Sequence, residues 1–341
     1  MKTALFASAA VIALAAFGTT AAFAQSRDTI QIAGSSTVLP FASIVAEEFS
    51  ASFPEFKTPV VGSGGTGGGL KQFCEGVGEN TIDIANASRQ IKDAEREACT
   101  AAGVTDIREI QFGFDGIVFA SAASGPDFAL TPAQVYKAIA AKVNVDGQLV
   151  DNPYKTWNEV DASLPNQPIA LAVPASNHGT REVFQEKVVS AGCEEAGLPE
   201  GISEDDAEAA CTTYRQDVVV EISGDYTETL ARLNSDPNTV GVFGLSFYEQ
   251  NTDTLKVATV DGVVPSKESV AAGEYPVSRP LFFYVKGQHI GVIPGIEEYV
   301  QFFLSEGISG EGGALEAAGL IPQPADKTAE VLAAFEAGAA Q

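Results

Sequence analysis

The sequence predicts an α/β fold of two lobes with a cleft between them. Short apolar runs typical of β-strands alternate with helical patterns along almost the whole chain, as in proteins that layer helices on sheets. The length of 341 residues exceeds what one hydrophobic core supports, so we expect two cores. Several apolar runs end in loops rich in glycine and hydroxyl side chains. These loops place polar groups at strand ends.

The N-terminal segment, residues 1–24, has the pattern of a signal peptide. Lys2 precedes a long run of small and apolar residues, and Ala22-Phe23-Ala24 fits a cleavage site before Gln25. No later run of apolar residues has the length that spanning a bilayer needs. We therefore expect an exported protein that is cleaved after Ala24.

The chain is strongly acidic. It carries 45 acidic and 20 basic residues and a net charge of −25, so nucleic acid and anionic membranes are unfavourable partners. Seven acidic residues and no basic one lie between Cys193 and Cys211. We expect this insertion to be a solvated surface loop, and a docking surface for a partner is the alternative.

All four cysteines follow the predicted signal peptide, and an oxidising compartment favours disulfides over free thiols. Sequence alone allows three pairings. Short loops favour Cys74 with Cys99 and Cys193 with Cys211, and each bond would stabilise the fold by about 3 kcal/mol.

Strands and helices alternate from Asp28 onward. The runs TIQIAG, TPVVG, TIDIANAS and IREIQFGF predict strands. Between them, helices are predicted by apolar residues at helical spacing from Phe41 to Phe53, by a pattern from about Gly68 and by a charged stretch from about Ile91 to Ala101. A further run, GIVFASAAS, begins near Gly116 and predicts another strand.

A second set of elements follows this run. Thr131-Pro132 predicts the N-cap and first position of a helix. Strand-like runs then alternate with helices that begin after Gly179-Thr180 and near Tyr226. The run SRPLFFYVKG and a helical stripe from Ile296 to Leu304 come near the C-terminus.

The C-terminal elements are expected to return to the first lobe. Two crossings, near Asp115 and near Arg279, give a discontinuous lobe 1 of residues 25–115 and 280–341 and a lobe 2 of residues 116–279. Two lobes imply a cleft in which a ligand can be enclosed.

Two loops of the first lobe have the composition of an anion-binding site. GSSTVLP (Gly34 to Pro40) and GSGGTGGGL (Gly62 to Leu70) each end an apolar run and begin a helix. Glycine-rich turns let several backbone N–H groups point at one spot, and the helix dipole adds partial positive charge. The hydroxyls of these loops supply further donors.

Two further loops carry an arginine near a helix start. ANASRQ ends a strand and contains Ser88 and Arg89, and ASNHGTREVF places Arg181 directly after Thr180. A cation at this end of a helix is unfavourable unless an anion lies beside it. The four loops therefore predict one small anion held from both walls of the cleft.

Two enzymatic alternatives have weaker support. A G-x-G-x-x-G pattern from Gly62, with Asp83 about twenty residues on, matches a dinucleotide fingerprint, but a nucleotide does not explain the equivalent hydroxyl loop on the preceding strand. A nucleophilic serine would need His178 or His289 as its base, and no G-x-S-x-G motif surrounds a serine. The two histidines lack metal-ligand spacing, so we expect no metal and no cofactor.

Six motifs, taken in order, resemble those of the PstS-type periplasmic phosphate-binding proteins of phosphate ABC importers. They are GSSTVLP, GSGGTGGGLKQF, DIANASR, HGTREVF, GVFGLSFY and YPVSRPLFFYV. The resemblance implies a type II periplasmic-binding-protein fold, whose lobes close on a dehydrated phosphate and whose closed form meets an ABC permease in the inner membrane. It also implies a periplasmic protein that binds inorganic phosphate without catalysis, and we expect a monomer.

The resemblance implies phosphate contacts from both lobes. In the first lobe they match hydroxyls of the first loop, the backbone of Val38 and the serine of the second loop. In the second lobe they match the HGT turn, where the histidine would contact the ligand. Together with the arginine-bearing loops and a replacement acceptor, the expected site comprises Ser36, Thr37, Val38, Ser63, Ser88, Arg89, Asp115, His178, Gly179, Thr180 and Arg181.

Three positions depart from the family pattern. His178 stands where members have serine, Arg89 where they have aspartate, and Pro174 or a close neighbour where they have arginine. The family aspartate accepts the proton of hydrogen phosphate and repels sulfate, so we predict that Asp115 replaces it. We expect Arg89 and Arg181 to balance the dianion. The alternatives are a receptor for sulfate, molybdate or phosphonate, and a secreted phosphatase or other hydrolase.

Overall fold

A computed structural model describes residues 27–175, 179–223 and 226–338 of the chain. The predicted signal peptide and its cleavage site lie outside these residues, as does His178. The described part is a mixed α/β structure, as the alternation of apolar runs predicted. None of its helices is long and apolar enough to cross a membrane.

Ten of the strands in the described residues form one sheet, and the other four form two small two-stranded sheets. The strands are β1 (Gln31–Gly34), β2 (Val60–Ser63), β3 (Ile84–Ala87), β4 (Ile107–Ala122), β5 (Ala129–Leu130), β6 (Lys142–Val145), β7 (Gln148–Asp151), β8 (Leu171–Pro174), β9 (Val219–Ile222), β10 (Val240–Gly244), β11 (Leu255–Val257), β12 (Thr259–Val260), β13 (Ser278–Lys286) and β14 (Ile321–Pro322).

Fifteen α-helices are interspersed with these strands along the described residues. The α-helices are α1 (Leu39–Ser52), α2 (Gly65–Phe73), α3 (Asp93–Ala101), α4 (Pro132–Ile139), α5 (Trp157–Val160), α6 (Gly179–Val183), α7 (Ala191–Ala196), α8 (Glu204–Thr212), α9 (Tyr226–Ser235), α10 (Leu245–Glu249), α11 (Lys267–Ala271), α12 (Ile296–Phe303), α13 (Glu306–Ser309), α14 (Ala314–Ala317) and α15 (Ala325–Glu336). A π-helical segment, Phe184–Ser190, joins α6 to α7, and a short 3-10 helix spans Gly287–His289.

The large sheet has parallel flanks and an antiparallel centre. Its strand order is β2-β1-β3-β13-β4-β10-β8-β9, and β11 and β14 also pair with β4. β1 runs parallel to β2 and β3, and β8 runs parallel to β9 and β10. β13 and β4 are antiparallel to each other and to the flanks beside them. The carboxyl ends of each parallel set therefore lie along one edge.

β4 is a single strand of 16 residues, so the prediction of two separate runs with a break near Gly116 was wrong. Its first half pairs with β13 through Gly116, and its second half pairs with β10 and β11. Gly113, Asp115 and Gly116 interrupt the apolar pattern, which is why the sequence indicated a break. The strand continues because the ladder with β13 passes through all three positions.

The buried apolar residues form separate clusters. One cluster draws its members from residues 117–277, with Ile321 as the exception. A second cluster combines residues 30–112 with residues 281–335. A third and smaller cluster includes Leu70, Phe73 and Tyr284. The first and last parts of the chain thus share a core, and the middle part has its own.

α1 shows how the sequence directs this packing. Pro40 occupies one of the first two helical positions, where a missing N–H is not needed. Val45 and Phe49 are fully buried one turn apart. The Phe49 ring contacts the rings of Phe53, Phe56, Tyr299 and Phe302. This aromatic cluster holds α1 against α12 and so fixes the position of the loop that precedes α1.

Disulfides join Cys74 to Cys99 and Cys193 to Cys211. The first links the end of α2 to α3, and the second links α7 to α8 and closes the acidic insertion. Three acidic residues of this insertion occupy the first turn of α8, where the helix dipole favours negative charge. Part of its acidity therefore has a structural reason.

Phe49→Ala tests how much the aromatic cluster stabilises the fold. We expect the free energy of unfolding to fall by about 3–5 kcal/mol, because the change leaves a cavity and removes the ring contacts. Urea unfolding followed by circular dichroism measures the change. Val60→Ala is the control, since Val60 is 57% exposed, and it should alter stability by less than about 0.5 kcal/mol. Equal effects of the two changes would contradict this account.

Candidate functional site

Three loops meet where the parallel strands β1, β2 and β3 end. Gly34 lies opposite Ser63 on one side and opposite Asn86 on the other. The Ser35 N–H donates to Asn86 O at 2.9 Å, and the Gly64 N–H donates to Gly34 O at 2.9 Å. Ligand sites of α/β sheets form at such carboxyl ends. The strands thus bring together loops that the sequence singled out for anion binding.

Glycine is required where α2 packs on β1. A Cβ added at Gly69 would lie 2.4 Å from the Gly34 Cα, and a Cβ added at Gly34 would lie 2.1 Å from the Asn86 O. Neither position can accept a side chain without displacing backbone. Part of the glycine density that indicated a ligand therefore serves helix-to-strand packing.

The loop before α1 presents a buried hydroxyl pair. Ser35 is fully buried, and its Oγ accepts the Val38 N–H at 3.4 Å. The Val38 N–H, which was predicted to face a ligand, is thus engaged within the loop. Thr37 is 2% exposed. Its Oγ1 accepts from Arg279 Nη2 at 2.6 Å and donates to the Glu182 carboxylate.

Arg279 is the central cation of the site. It lies on β13 directly opposite Asp115 on β4 and is only 3% exposed. Its Nη1 donates to Glu186 Oε2 at 2.8 Å, and its Nη2 donates to Thr37 Oγ1. The Nη2 also lies 3.4 Å from Glu182 Oε2 and 3.9 Å from Asp115 Oδ2. One guanidinium thus faces three carboxylates and one hydroxyl.

The Asp115 carboxylate is buried, and one of its oxygens accepts no hydrogen bond in the described part of the chain. That oxygen is Oδ2, which is itself buried. Burial raises the pKa of the carboxyl above its ordinary value, and the Arg279 guanidinium opposes this rise. The carboxylate can therefore accept one further hydrogen bond from a ligand that brings a proton.

A cavity of about 410 Å³ opens beside these groups. Residues from three parts of the fold contribute polar atoms to it. Its lining includes Thr37, Asp115, Thr180, Tyr226, Ser246 and Phe247. The Tyr226 hydroxyl donates to Thr180 Oγ1 at 3.0 Å, and Gly179 begins the helix that carries Thr180. The cavity thus brings together three of the predicted residues, namely Thr37, Asp115 and Thr180.

The two arginines that the sequence analysis favoured lie elsewhere. Arg89 forms a bidentate pair with Glu95, with N···O distances of 2.9 and 2.8 Å. Arg181 lies 2.8 Å from Glu221 and donates to Pro174 O at 2.9 Å. Neither arginine lines the cavity. Each pairs instead with a nearby carboxylate, which a chain so rich in acidic residues readily supplies.

The predicted serines take three different places. Ser63 is exposed at the end of β2, and Ser36 is exposed beside Thr37. Ser88 is buried, its N–H donates to Thr66 Oγ1 at 3.0 Å, and its Oγ lies 3.2 Å from the same atom. Ser88 therefore ties the third loop to α2 inside the lobe.

Comparison with known proteins identifies the family. Residues 19–307 match the family model described as a PBP superfamily domain. The chain belongs to the PBP superfamily. It is 32% identical to Protein SphX of Synechococcus elongatus over 95% of this chain and 86% of that relative. It is 29% identical to the Phosphate-binding protein PstS of Staphylococcus epidermidis over 85% of this chain and 78% of that relative.

Solved structures of superfamily members agree with this assignment. A possible phosphate binding protein from Planctomyces limnophilus is 27% identical, with a TM-score of 0.69 over 92% of this chain and 99% of its own. An ABC-type phosphate transport receptor from Vibrio cholerae, 18% identical, shares the fold with a TM-score of 0.58 over 86% and 100%. The predicted type II fold and the resemblance to PstS-type proteins are thus confirmed.

Sequence reasoning did not assign Arg279 or Glu182 to the site of this superfamily member. Arg279 offered a signal, because an arginine within the apolar run SRPLFFYV has to be buried with a partner from elsewhere. Glu182 offered none, since acidic residues are common in the first turn of a helix.

Asp115→Asn tests the burial of the Asp115 carboxyl. Because the pKa of Asp115 is raised in the folded state, the wild-type protein loses stability as pH rises from about 3.8, the ordinary value, through the folded-state pKa. We expect the variant to gain stability relative to the wild type over that interval. Urea unfolding at a series of pH values measures the difference.

Asp217→Asn is the matched control for that experiment. The Arg215 guanidinium lowers the pKa of Asp217 through a hydrogen bond, so the wild-type contribution is present above pH 3.8 and is lost as pH falls. The stability difference of this variant should move in the opposite direction with pH. If the stability differences of the two variants changed in the same direction with pH, the raised pKa assigned to Asp115 would be wrong.

Proposed function

We propose that the chain binds inorganic phosphate outside the cytoplasm and delivers it to an ABC import permease in the membrane. The observation that carries the proposal is the cavity where Thr37 and Thr180 face Asp115, with Arg279 bonded to the Thr37 hydroxyl. Guanidinium and hydroxyl groups are the donors that tetrahedral oxyanions require. The relatives named phosphate-binding protein support phosphate as the anion, and we propose binding without a catalytic step.

The proposal includes a chain of two lobes, residues 25–115 with 280–341 and residues 116–279. The separate apolar clusters support this division. Thr37 then belongs to the first lobe and Thr180 to the second, while Asp115 and Arg279 lie on the paired strands where the chain crosses. Closure about these strands would bring donors of both lobes onto one anion.

Within this site we assign charge neutralisation to Arg279, because Arg89 and Arg181 are engaged with their own carboxylates. Hydroxyl and backbone donors are assigned to Ser36, Thr37, Ser63, His178, Gly179 and Thr180. A charge-assisted hydrogen bond contributes roughly 1.5–3 kcal/mol. A few of them support micromolar or tighter affinity, which corresponds to about −8 kcal/mol or better.

Asp115 is proposed as the acceptor of the phosphate proton. Its Oδ2, which accepts no hydrogen bond among the described residues, and its place in the cavity lining support this role. Hydrogen phosphate has a proton to donate and sulfate has none, so an ionised acceptor favours phosphate. Burial raises the pKa of Asp115 and so favours its protonated form, and the nearby guanidinium of Arg279 opposes this rise and favours the ionised form.

The cellular setting follows from the same proposal. The predicted signal peptide supports export to the periplasm with cleavage after Ala24. The net charge of −25 supports a protein that avoids nucleic acid. We propose that it acts as a monomer that meets the permease subunits after closing on phosphate.

Thr37→Val removes the hydroxyl while keeping the shape of the side chain. We expect phosphate to bind about tenfold or more weakly, because one hydrogen bond to a charged ligand is lost. Isothermal titration calorimetry with inorganic phosphate measures the effect. Thr100→Val on α3 is the control, since Thr100 is exposed and its hydroxyl donates to Arg96 O within the same helix. Unchanged affinity of the Thr37 variant would count against the site.

Asp115→Asn should also reduce the preference for phosphate over sulfate. The amide can donate a hydrogen bond to either ion, so the penalty against an unprotonated oxygen disappears. Parallel calorimetric titrations with phosphate and sulfate measure the ratio of the two affinities. Asp217→Asn should keep the wild-type ratio, since Asp217 does not line the cavity. An unchanged ratio in the Asp115 variant would remove its role as acceptor.

A further inference from the structure

The Glu182 carboxylate occupies the donors of the proposed phosphate site. Its Oε2 accepts hydrogen bonds from the Thr37 hydroxyl and, at 3.2 Å, from the Ser36 hydroxyl. The same oxygen lies 3.4 Å from Arg279 Nη2. One anionic oxygen from α6 thus gathers two hydroxyls from the loop before α1 and one guanidinium from β13.

These donors cannot serve two anions at once. A threonine or serine hydroxyl has a single proton to donate, so Thr37 can bond to Glu182 or to a phosphate oxygen. The negative charges of the carboxylate and of hydrogen phosphate would also repel each other at this distance. Binding of phosphate through Ser36 and Thr37 therefore requires that Glu182 release them.

The side chains differ in their freedom to move. Thr37 and Arg279 are 2% and 3% exposed, and the ladder between β13 and β4 fixes the backbone of Arg279. The Glu182 side chain is 42% exposed. A rotation of Glu182 into solvent is thus the movement that leaves the donors in place.

The charges of the cluster favour such an exchange. Arg279 faces the carboxylates of Asp115, Glu182 and Glu186, and Lys187 Nζ lies 4.0 Å from Glu186 Oε1. These carboxylates outnumber the two cations, so an added dianion would increase an existing excess of negative charge. Departure of Glu182 reduces that excess as phosphate arrives. An anion that interacts weakly with these donors would not displace Glu182.

We propose that the Glu182 carboxylate is a built-in competitor of phosphate. Phosphate must displace this carboxylate in order to bind, and the competition sets the affinity of the site. The proposal rests on the proposed phosphate-binding function. Glu182 also connects α6 to the loop before α1, so its release removes one contact between that helix and that loop. The competing interpretation is that Glu182 stays in place and accepts the phosphate proton.

Calorimetry of the mature protein with inorganic phosphate tests the proposal in the wild type and in Glu182→Gln. We expect phosphate to bind about tenfold more tightly to the variant, because a neutral amide competes poorly for a guanidinium and hydroxyl donors. Glu182→Asp keeps the charge but shortens the reach. We expect this variant to bind phosphate more tightly than the wild type as well, because its carboxylate lies farther from the Ser36 and Thr37 hydroxyls.

Glu186→Gln is the matched control. It removes the same charge from the next turn, and Glu186 contacts Arg279 Nη1 without bonding to the Ser36 or Thr37 hydroxyls. We expect a smaller gain in affinity than for Glu182→Gln. Equal gains would show that only the local charge matters and would overturn the proposal. Equal or weaker binding by Glu182→Gln than by the wild type would overturn it as well.

Three outcomes distinguish failure of this inference from failure of the proposed phosphate-binding function. Weaker phosphate binding by Glu182→Gln together with a lost preference over sulfate would assign the proton acceptor to Glu182 and reject competition. Absence of phosphate binding in the wild type and in every variant would reject the proposed function itself, and the inference with it. Wild-type binding with an unaltered affinity in Glu182→Gln would reject the inference alone.

Discussion

The buried guanidinium of Arg279 is the interaction on which the rest of the site depends. A charge removed from water has to be compensated inside the protein. Arg279 finds Asp115 opposite on the neighbouring strand and Glu186 at 2.8 Å on the π-helical segment. Because the pairing of β4 with β13 fixes both backbones, the guanidinium stands at a set place beside Thr37. The sheet therefore orients the donor before any ligand arrives.

Packing far from the cavity supports the same geometry. The ring of Phe49 holds α1 against α12, and α1 begins directly after the loop that carries Thr37. Gly69 lets α2 approach β1 so closely that the second loop lies beside the first. The hydroxyls and the guanidinium thus depend on two helix contacts and one strand register.

The fold could be predicted from the sequence because helix caps and apolar patterns are local signals. The N-cap at Thr131 is observed, with its side chain accepting the Gln134 N–H, and the helices that were predicted begin within a few residues of their expected starts. The site was less accessible to prediction. Arg89 was taken for an anion ligand although Glu95 lies only six residues further along the chain and pairs with it. Arg279 and Asp115 become partners only through the register of distant strands, which no local pattern reveals.

The unbroken strand β4 has a mechanical consequence. If the lobes rotate relative to each other, the rotation has to pass through the ribbon that β4 forms with β13, since both strands run across the boundary between the apolar clusters. Atoms near an axis of rotation move least. Asp115 and Arg279 lie on that ribbon and would stay almost stationary, while Thr37 and Thr180 travel toward or away from them. An anion would then bind first beside Asp115 and Arg279 and be enclosed afterwards, so that binding and enclosure are separate steps.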